Sequence, residues 1–294
     1  MRLYEIWRHG YLPPHGGKLF DRVSPGIPSV VANALRYLLS EWKYLPGGWQ
    51  VDVERGEGWN DASVAAAQER HWPTLVENLQ GRGPLGVSHF LRSRTREDRA
   101  DHNAMMSYGY VLARAARKKD ALSVLDWGSS LGHYYLYSRA LLPEVAIEYH
   151  CYDVPRLCEV GRRLQPQAHF HDDSADVLRR RYHLVVSSSS LHYFEDWRGV
   201  ARQLAAATGE FLYVARLQTV VRGDSYAVVQ RPYRDGYHTE YPTWFLNRLE
   251  VVRCFEEAGL ELTREFIYAE DFFVRGAPEK GECRGFLFRR PPAP

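Results

Sequence analysis

The fold is decided by residues 122–132, which read LSVLDWGSSLG. The apolar run from Ser123 to Leu125 predicts a central parallel strand, because strands that are covered on both faces are continuously apolar. Gly128 and Gly132 allow the backbone to turn sharply and to approach a ligand, before a helix that we expect to begin near Leu131. The N–H groups at the start of that helix suit an anionic group. The stretch therefore predicts a cofactor loop between a strand and a helix.

The spacing of this loop separates two classes of cofactor fold. Dinucleotide-binding folds carry G-x-G-x-x-G, usually without an acidic residue before it. Here Asp126 stands at the strand end, and Gly128 and Gly132 are four residues apart. Ser130 takes the middle glycine position of an acidic-x-G-x-G-x-G loop, which resembles motif one of class I S-adenosylmethionine (SAM) methyltransferases. A glycine-rich turn that binds no ligand is the alternative.

The second strand supports a doubly wound fold. Residues Ala146 to Tyr152 are an apolar run that ends in Asp153, about 20 residues after the last glycine, where such folds carry a ribose-binding carboxylate. A carboxylate there can accept hydrogen bonds from both ribose hydroxyls. The alternative role of Asp153 is to cap a helix that begins at Pro155. The two roles are compatible.

A third strand, Ala168 to His171, leads into two further carboxylates. We expect Asp172 to bind the adenine amino group and Asp173 to cap the next helix. His169 and His171 would share one face of the strand, which makes a metal pair conceivable. Because further ligands at a suitable spacing are missing, we expect no metal.

Residues 182–197 predict a fourth strand and a following helix. Ligands of open α/β sheets lie outside the carboxyl ends of the strands, so Ser187 and Ser188 are expected to bracket the cofactor. His192 is the candidate general base for a hydroxyl nucleophile, because the ordinary imidazole pKa of about 6.5 lies close to working pH. In the alternative interpretation, His192 packs under the helix, and methyl transfer proceeds by proximity and alignment without a strong base.

Longer blocks of the chain resemble one family more closely than the general class. They read LDWGSSLGHYYLYSRALLP, YDVP, HLVVSSSSLHYFEDW and AVVQRPYRDGYHTEYPTWFLNR, with GWNDASVAAAQERHW upstream. They are similar to bacterial SAM-dependent methyltransferases often found in polysaccharide and natural-product gene clusters, from about Trp59 to Phe288. The resemblance implies a class I methyltransferase fold, SAM as donor with S-adenosylhomocysteine (SAH) as product, and a small-molecule acceptor. It assigns no catalytic residue to this chain.

Composition agrees with a cytoplasmic enzyme. The chain has 38 Lys and Arg against 36 Asp and Glu, so its net charge of +2 gives no reason to expect nucleic acid. Its four cysteines are scattered without a C-x-x-C pair, which indicates reduced thiols. We find no secretion signal and no run of about 20 apolar residues that could cross a membrane. A homodimer is an option that the sequence leaves open.

The chain divides into two predicted parts. Residues 1–118 are expected to form a mostly helical cap over the acceptor, with helices at Ala62 to Leu79 and at about Glu97 to Ala116. Pro73 should kink or divide the first of these helices. The arginines before and at the start of the second helix are either a site for an anionic acceptor or a solvated face, which is the commoner case. They are Arg92, Arg94, Arg96 and Arg99.

Residues 119–294 are expected to form a Rossmann-like, seven-stranded α/β sheet with an antiparallel last strand. After a fifth strand at Glu210 to Ala215, an aromatic-rich lid is predicted at about 216–242. A helix at Thr243 to Ala258 and closing strands at Leu260 to Tyr268 and Arg284 to Arg289 complete it.

The candidate residues follow from these elements. Those for the cofactor are Asp126, Gly128, Ser129, Ser130, Gly132, His133, Asp153, Val154, Asp172, Ser187 and Ser188. Those for the acceptor are Tyr193, Arg216, Tyr237 and His238. The expected reaction is methylation of a small molecule, at oxygen, on a saccharide or natural-product intermediate. The alternatives are a macromolecular or carrier-bound substrate, and a SAM-fold protein that binds without catalysis.

Overall fold

The computed structural model describes residues 40–49, 56–85 and 99–292. The predictions for Arg92, Arg94 and Arg96 lie outside the described residues. The strands are β1 Trp42–Tyr44, β2 Ala121–Trp127, β3 Ala146–Tyr152, β4 His169–His171, β5 Tyr182–Ser188, β6 Thr208–Val220, β7 Tyr226–Gln230, β8 Tyr241–Asn247, β9 Glu261–Asp271, β10 Val274–Arg275 and β11 Glu282–Arg289. The helices are α1 Ala62–Gln80, α2 Arg99–Ala116, α3 His133–Leu141, α4 Pro155–Leu164, α5 Ser174–Leu178, α6 Trp197–Ala207 and α7 Arg248–Glu257.

Seven strands form the main sheet, in the order β4-β3-β2-β5-β6-β11-β9. Strands β2 to β6 pair in parallel, whereas β11 is antiparallel to both β6 and β9. The predicted seven-stranded sheet with an antiparallel last strand is therefore confirmed. The parallel pairing aligns the carboxyl ends of β2, β3, β4 and β5 at one edge, which positions the loop after β2.

Apolar side chains cover both faces of the sheet. Along β2, Val124 belongs to the core under α1, α2 and α3, and Leu125 belongs to the core under α6 and α7. Both residues are fully buried, as a central strand requires. Close packing at the edge depends on Gly161 of α4, where a Cβ atom would come within 2.2 Å of the Phe170 ring.

The N-terminal helices have the predicted positions. Asp61 begins α1 by accepting a hydrogen bond from the Ser63 N–H at 2.8 Å. Pro73 lies inside α1 without dividing it, so the prediction of a divided helix is wrong. The helix stays intact because its buried face, which includes Val64 and Leu75, packs onto the core.

The segment after β6 differs from its prediction. Residues 216–220 continue β6, and β8 occupies the start of the helix that was predicted at Thr243 to Ala258. The reason is an alternation in β8: Tyr241, Thr243 and Phe245 are buried while the residues between them are more exposed. The helix begins only after Asn247, whose side chain accepts hydrogen bonds from two N–H groups of α7.

The insertion and the N-terminal region share a small second sheet. Strand β7 pairs antiparallel with β8 and with β1, and β10 pairs with β1 on its other side. Strand β8 joins this sheet to β6 through Thr219 and Val220. Within the described ranges, no helix is both long and apolar enough to cross a membrane.

Candidate functional site

Two glycines shape the loop after β2. Gly128 and Gly132 have φ angles of 75° and 80°, which only glycine adopts easily. A Cβ atom on Gly128 would lie 2.3 Å from the Cβ of Ser190. The N–H groups of Gly128 and Ser129 donate to the Tyr152 carbonyl at 2.9 and 3.1 Å, which fixes the loop to the end of β3. The helix predicted from about Leu131 begins at His133, with Gly132 as its N-cap.

Asp153 faces this loop. One carboxylate oxygen accepts the Ser130 N–H at 2.6 Å and the other accepts the Val154 N–H at 2.7 Å. Burial raises the pKa of Asp153 to about 6, although both N–H groups act in the opposite direction. The N-cap of α4 is Val154, so the capping role considered for Asp153 is wrong, while Pro155 does begin the helix. A carboxylate has about four acceptor positions, so both oxygens can accept further hydrogen bonds.

Asp126 lies beneath the loop. Its side chain is buried, and it accepts a hydrogen bond from the Tyr149 hydroxyl at 3.1 Å. Burial raises the pKa of Asp126 to about 7, and the Tyr149 hydroxyl lowers it. Near neutral pH the carboxyl group therefore changes charge with small changes in its surroundings.

The structure adds Gln68 of α1, which the sequence did not single out. The Ser130 hydroxyl donates to Gln68 Oε1, and Gln68 Nε2 donates to the Tyr237 hydroxyl at 3.2 Å. Gln68 is only 1% exposed, although it is polar. The signal in the sequence was a glutamine on the face of α1 that carries Val64 and Leu75.

Three predicted cofactor residues have buried side chains. Ser129 and His133 are each 3% exposed, and Ser187 is fully buried. The Ser187 hydroxyl is hydrogen-bonded to the Ser190 hydroxyl at 2.8 Å. The Ser190 hydroxyl in turn donates to the Trp127 carbonyl at 2.7 Å. Ser187 points inward because successive strand residues face opposite sides, so its predicted contact with a ligand is not supported. The next residue, Ser188, is partly exposed, and its hydroxyl lies 2.8 Å from that of Tyr134.

His192 is fully buried in a 3-10 turn after β5. Neither ring nitrogen has a hydrogen-bond partner among the described residues, and burial lowers its pKa to about 3. A general base needs an accessible nitrogen and a pKa near working pH, and His192 offers neither. The structure thus favours the alternative interpretation, in which His192 packs under the helix: the Thr243 hydroxyl donates to the His192 carbonyl at 3.0 Å.

The two carboxylates after β4 were predicted to have different roles, and the role of Asp173 is confirmed. Asp173 caps α5 by accepting the Ala175 N–H at 2.9 Å. Asp172 is exposed, with Arg162 3.5 Å from its carboxylate, which leaves it open to a ligand. His169 and His171 do share one face of β4, and both rings stack on His150 of the neighbouring strand.

Four aromatic rings meet on the other side of Gln68. They belong to Trp59, Tyr193, Tyr237 and Tyr241. Trp59 stacks on Tyr241 with ring centroids 4.9 Å apart, and the Tyr193 ring is steeply inclined to both, with centroids 5.1 and 5.2 Å from theirs. Neither the Tyr241 hydroxyl nor the Trp59 indole nitrogen has a hydrogen-bond partner in the described part of the chain. We call these four residues the aromatic cluster; it includes the predicted Tyr193 and Tyr237.

The other two predicted acceptor residues differ from expectation. His238 is exposed, and its backbone N–H donates to the Ser63 hydroxyl at 2.8 Å. Arg216 follows Ala215, which pairs with Ser188 at the edge of the sheet. Its guanidinium donates to Asp101 at 2.6 Å and also to Glu270. Because two carboxylates already neutralise it, Arg216 is poorly suited to bind an anionic acceptor.

Comparison with known proteins adds a family match. The sequence profile described as "Methyltransferase domain" matches residues 100–265, more than half of the chain. A search of curated proteins found no match. Magnesium protoporphyrin IX methyltransferase from Synechocystis, solved with bound SAH, aligns over 78% of this chain and 98% of its own, with 13% identity and a TM-score of 0.47. A SAM-bound amino pentose methyltransferase of calicheamicin biosynthesis, from Micromonospora echinaspora, aligns over 64% of this chain and 92% of its own, with 13% identity and a TM-score of 0.41. These values say nothing of the acceptor of this chain.

Proposed function

Because this chain belongs to the methyltransferase domain family, we propose that it transfers the methyl group of SAM to a hydroxyl of an uncharged small molecule, a saccharide or natural-product intermediate. The chain is a SAM-dependent methyltransferase, and SAM is its cofactor. In the proposed reaction the acceptor oxygen attacks the methyl carbon in line with sulfur. The carbon–sulfur bond breaks, its electron pair stays on sulfur as SAH forms, and the acceptor hydroxyl loses its proton to water.

The donor side of the proposal rests on Asp153. Its carboxylate is held in place by two backbone N–H groups and keeps acceptor positions for two ribose hydroxyls. The loop from Gly128 to Gly132 would hold the amino-acid end of SAM, and the exposed Asp172 would accept the adenine amino group. Charged hydrogen bonds of this kind contribute about 1.5–3 kcal/mol each.

The acceptor side carries the proposal of an uncharged substrate. Arg216 stands at the carboxyl edge of the sheet, and its charge is already neutralised by Asp101 and Glu270. The aromatic cluster offers large, rigid surfaces together with hydroxyl and indole groups. A hydroxylated ring fits such a wall, whereas a phosphate or carboxylate would lie near two carboxylates that share one guanidinium.

We further propose that alignment, without a dedicated base, drives the step. His192 is inaccessible and only weakly basic, so it orients the loop that carries Tyr193. Holding nucleophile and methyl carbon in line can supply a large part of a rate enhancement. With saturating SAM, the pH dependence of turnover should then follow ionisation of the acceptor hydroxyl and should stay the same when His192 is replaced.

If the substrate were an anionic macromolecule, its candidate binding surface would be a basic cavity on the opposite edge of the sheet from the cofactor loop. A cavity of about 340 Å³ is lined by Arg114, Arg117, Lys118 and Arg289, with Glu210 and Phe211. Glu210 stands near the start of β6, and α2 ends at Ala116, so this basic cavity lies at the amino edge of the parallel strands. The cofactor loop lies at their carboxyl edge. The basic cavity alone therefore does not bring a bound anionic group to the methyl group.

Calorimetric titration with SAM, SAH and, as a control, NAD tests the donor side. We expect micromolar binding of the first two only. A screen for methyl transfer should then compare neutral saccharides and phenols with phosphorylated analogues of the same compounds. Preference for the phosphorylated member of each pair would contradict an uncharged acceptor.

The cap formed by residues 1–118, the SAM-binding unit of 119–294, the cytoplasmic location and the biosynthetic context are part of the same proposal.

A further inference from the structure

Helix α1 contacts both sides of the proposed site. Gln68 bonds to the cofactor loop and to Tyr237, while Ser63, five residues earlier, accepts the N–H of His238. A buried amide must find partners for both of its polar atoms. Gln68 finds one partner on the donor side and the other on the acceptor side, so its single rotamer depends on both.

The contacts form a continuous chain of hydrogen bonds. The Ser130 N–H donates to Asp153, and the Ser130 hydroxyl donates to Gln68 Oε1. Gln68 Nε2 then donates to the hydroxyl of Tyr237, whose ring lies 6.1 Å from that of Trp59, centroid to centroid. Both partners of the amide are hydroxyl groups, and in this orientation each polar atom of the amide has a partner. The chain runs from the proposed ribose carboxylate to the aromatic cluster.

Ser130 is the unusual link. It has a φ angle of 56°, in the left-handed region that is unfavourable for a residue with a Cβ atom. Glycine would adopt this conformation more easily, and the resembling loops carry glycine at this position. Serine brings a hydroxyl that glycine lacks, and in this chain the hydroxyl binds Gln68. The departure from the glycine pattern thus coincides with the bond to α1.

We propose that Gln68 is a positioning residue that couples SAM binding to the order of the aromatic cluster. It keeps Ser130 where its N–H reaches Asp153, and it keeps Tyr237 in the aromatic cluster. When SAM occupies the loop and Asp153, Ser130 is held more firmly, and through Gln68 so is the segment around Tyr237. The inference rests on the proposed placement of SAM at Asp153.

Two other residues provide matched controls. Gln165 is also a buried glutamine, and its Nε2 donates to the carbonyls of Leu131 and Gly132 at 2.7 Å each. Its Oε1 has no hydrogen-bond partner among the described residues, so it supports the donor side alone. Ser63 supports the acceptor side through His238 and reaches Asp61, not the cofactor loop.

The experiment measures SAM affinity by calorimetry and amide hydrogen exchange of residues 231–241 with and without saturating SAM, on the full chain. In the unsubstituted protein, SAM should slow exchange in this segment. Gln68→Met should weaken SAM binding about tenfold, as expected for one lost buried hydrogen bond, and abolish the effect of SAM on exchange. Gln165→Met should weaken binding but keep that effect. Ser63→Ala should speed exchange while leaving SAM affinity and the SAM effect intact.

Ser130→Ala provides a second test that leaves Gln68 in place. It should lose the SAM effect on exchange, and combining it with Gln68→Met should cost little more affinity than either change alone. If Gln68→Met does not fold, Ser130→Ala decides the question by itself. The coupling would be overturned if the unsubstituted protein bound SAM normally without a change in exchange at 231–241. It would also be overturned if the Gln68 variant behaved as the Gln165 variant does. A protein that binds no SAM would instead overturn the donor site on which the coupling rests.

Discussion

The donor side and the acceptor side of the site are built in different ways. The cofactor loop is fixed by backbone: two glycines with positive φ, N–H groups on the Tyr152 carbonyl, and a carboxylate clamped by two further N–H groups. The acceptor side is fixed by side chains from separate segments, with Trp59 before α1, Tyr193 after β5 and Tyr241 in the insertion. The cofactor loop therefore tolerates few substitutions, because its backbone conformation must be kept. The aromatic cluster can change its chemistry by substitution of one side chain at a time.

The largest effect is expected on the backbone side. Gly128→Ala places a Cβ atom 2.3 Å from that of Ser190 and imposes positive φ on alanine. Left-handed backbone and overpacking each cost about 1–3 kcal/mol, so we expect a total loss of about 3 kcal/mol in stability or SAM binding. Thermal unfolding and calorimetry would measure this.

Gly48→Ala is the matched control for that substitution. Gly48 also has positive φ, at 85°, but apart from its chain neighbours no atom of the described residues lies within 4 Å of the position of its Cβ. It should show only the backbone part of the penalty and no change in SAM affinity. Equal effects at the two glycines would mean that the contact with Ser190 is not what fixes the loop.

Asp153→Ala comes next. Removing the carboxylate deprives the loop of its clamp and SAM of its proposed ribose partner, so SAM affinity should fall on the order of tenfold or more. Asp173→Ala is the control, because that carboxylate caps α5. It should cost about 1 kcal/mol of stability and leave SAM affinity unchanged. A larger loss of SAM binding at Asp173 than at Asp153 would reverse the assignment.

The sequence predicted the backbone side well because glycine spacing and strand periodicity are local. The loop, β3 and the position of Asp153 after β3 follow from residues that are close in sequence, whereas the seven-stranded sheet with its antiparallel last strand was expected from the resemblance to class I methyltransferases. Burial of His192 and Ser187, and pairing of Arg216 with Asp101 and Glu270, depend on elements far apart in the chain. Gln68 shares the buried face of α1 with Val64, but its partners Ser130 and Tyr237 lie far from it in the sequence. The helical pattern alone therefore does not assign its contacts.

His192 lies between the two sides, and its titration tests its role. Its folded-state pKa of about 3 is below the ordinary value of 6.5, so the unfolded chain binds the proton more readily. The stabilising contribution is therefore present above pH 6.5 and is lost as pH falls toward 3. Between pH 6.5 and pH 5, His192 should lower the free energy of unfolding by about 1.5 kcal/mol.

Substituting His192 separates packing from catalysis. His192→Leu should flatten the pH dependence of the free energy of unfolding, measured in urea, and retain most turnover. A roughly hundredfold loss of turnover in folded His192→Leu protein would restore the general-base role.

The smallest effect is expected within the aromatic cluster, and it bears most directly on substrate. The Tyr241 hydroxyl is buried without a hydrogen-bond partner among the described residues, which is costly unless a ligand uses it. Tyr241→Phe removes only this oxygen, so the ligand-free protein should be as stable as before or more stable by about 1 kcal/mol. If an acceptor hydroxyl binds there, the variant should raise KM for that acceptor several-fold while SAM affinity stays the same. A fall in stability would show instead that the hydroxyl has a partner within the protein, and the acceptor side would then be a packed core like the faces of the sheet.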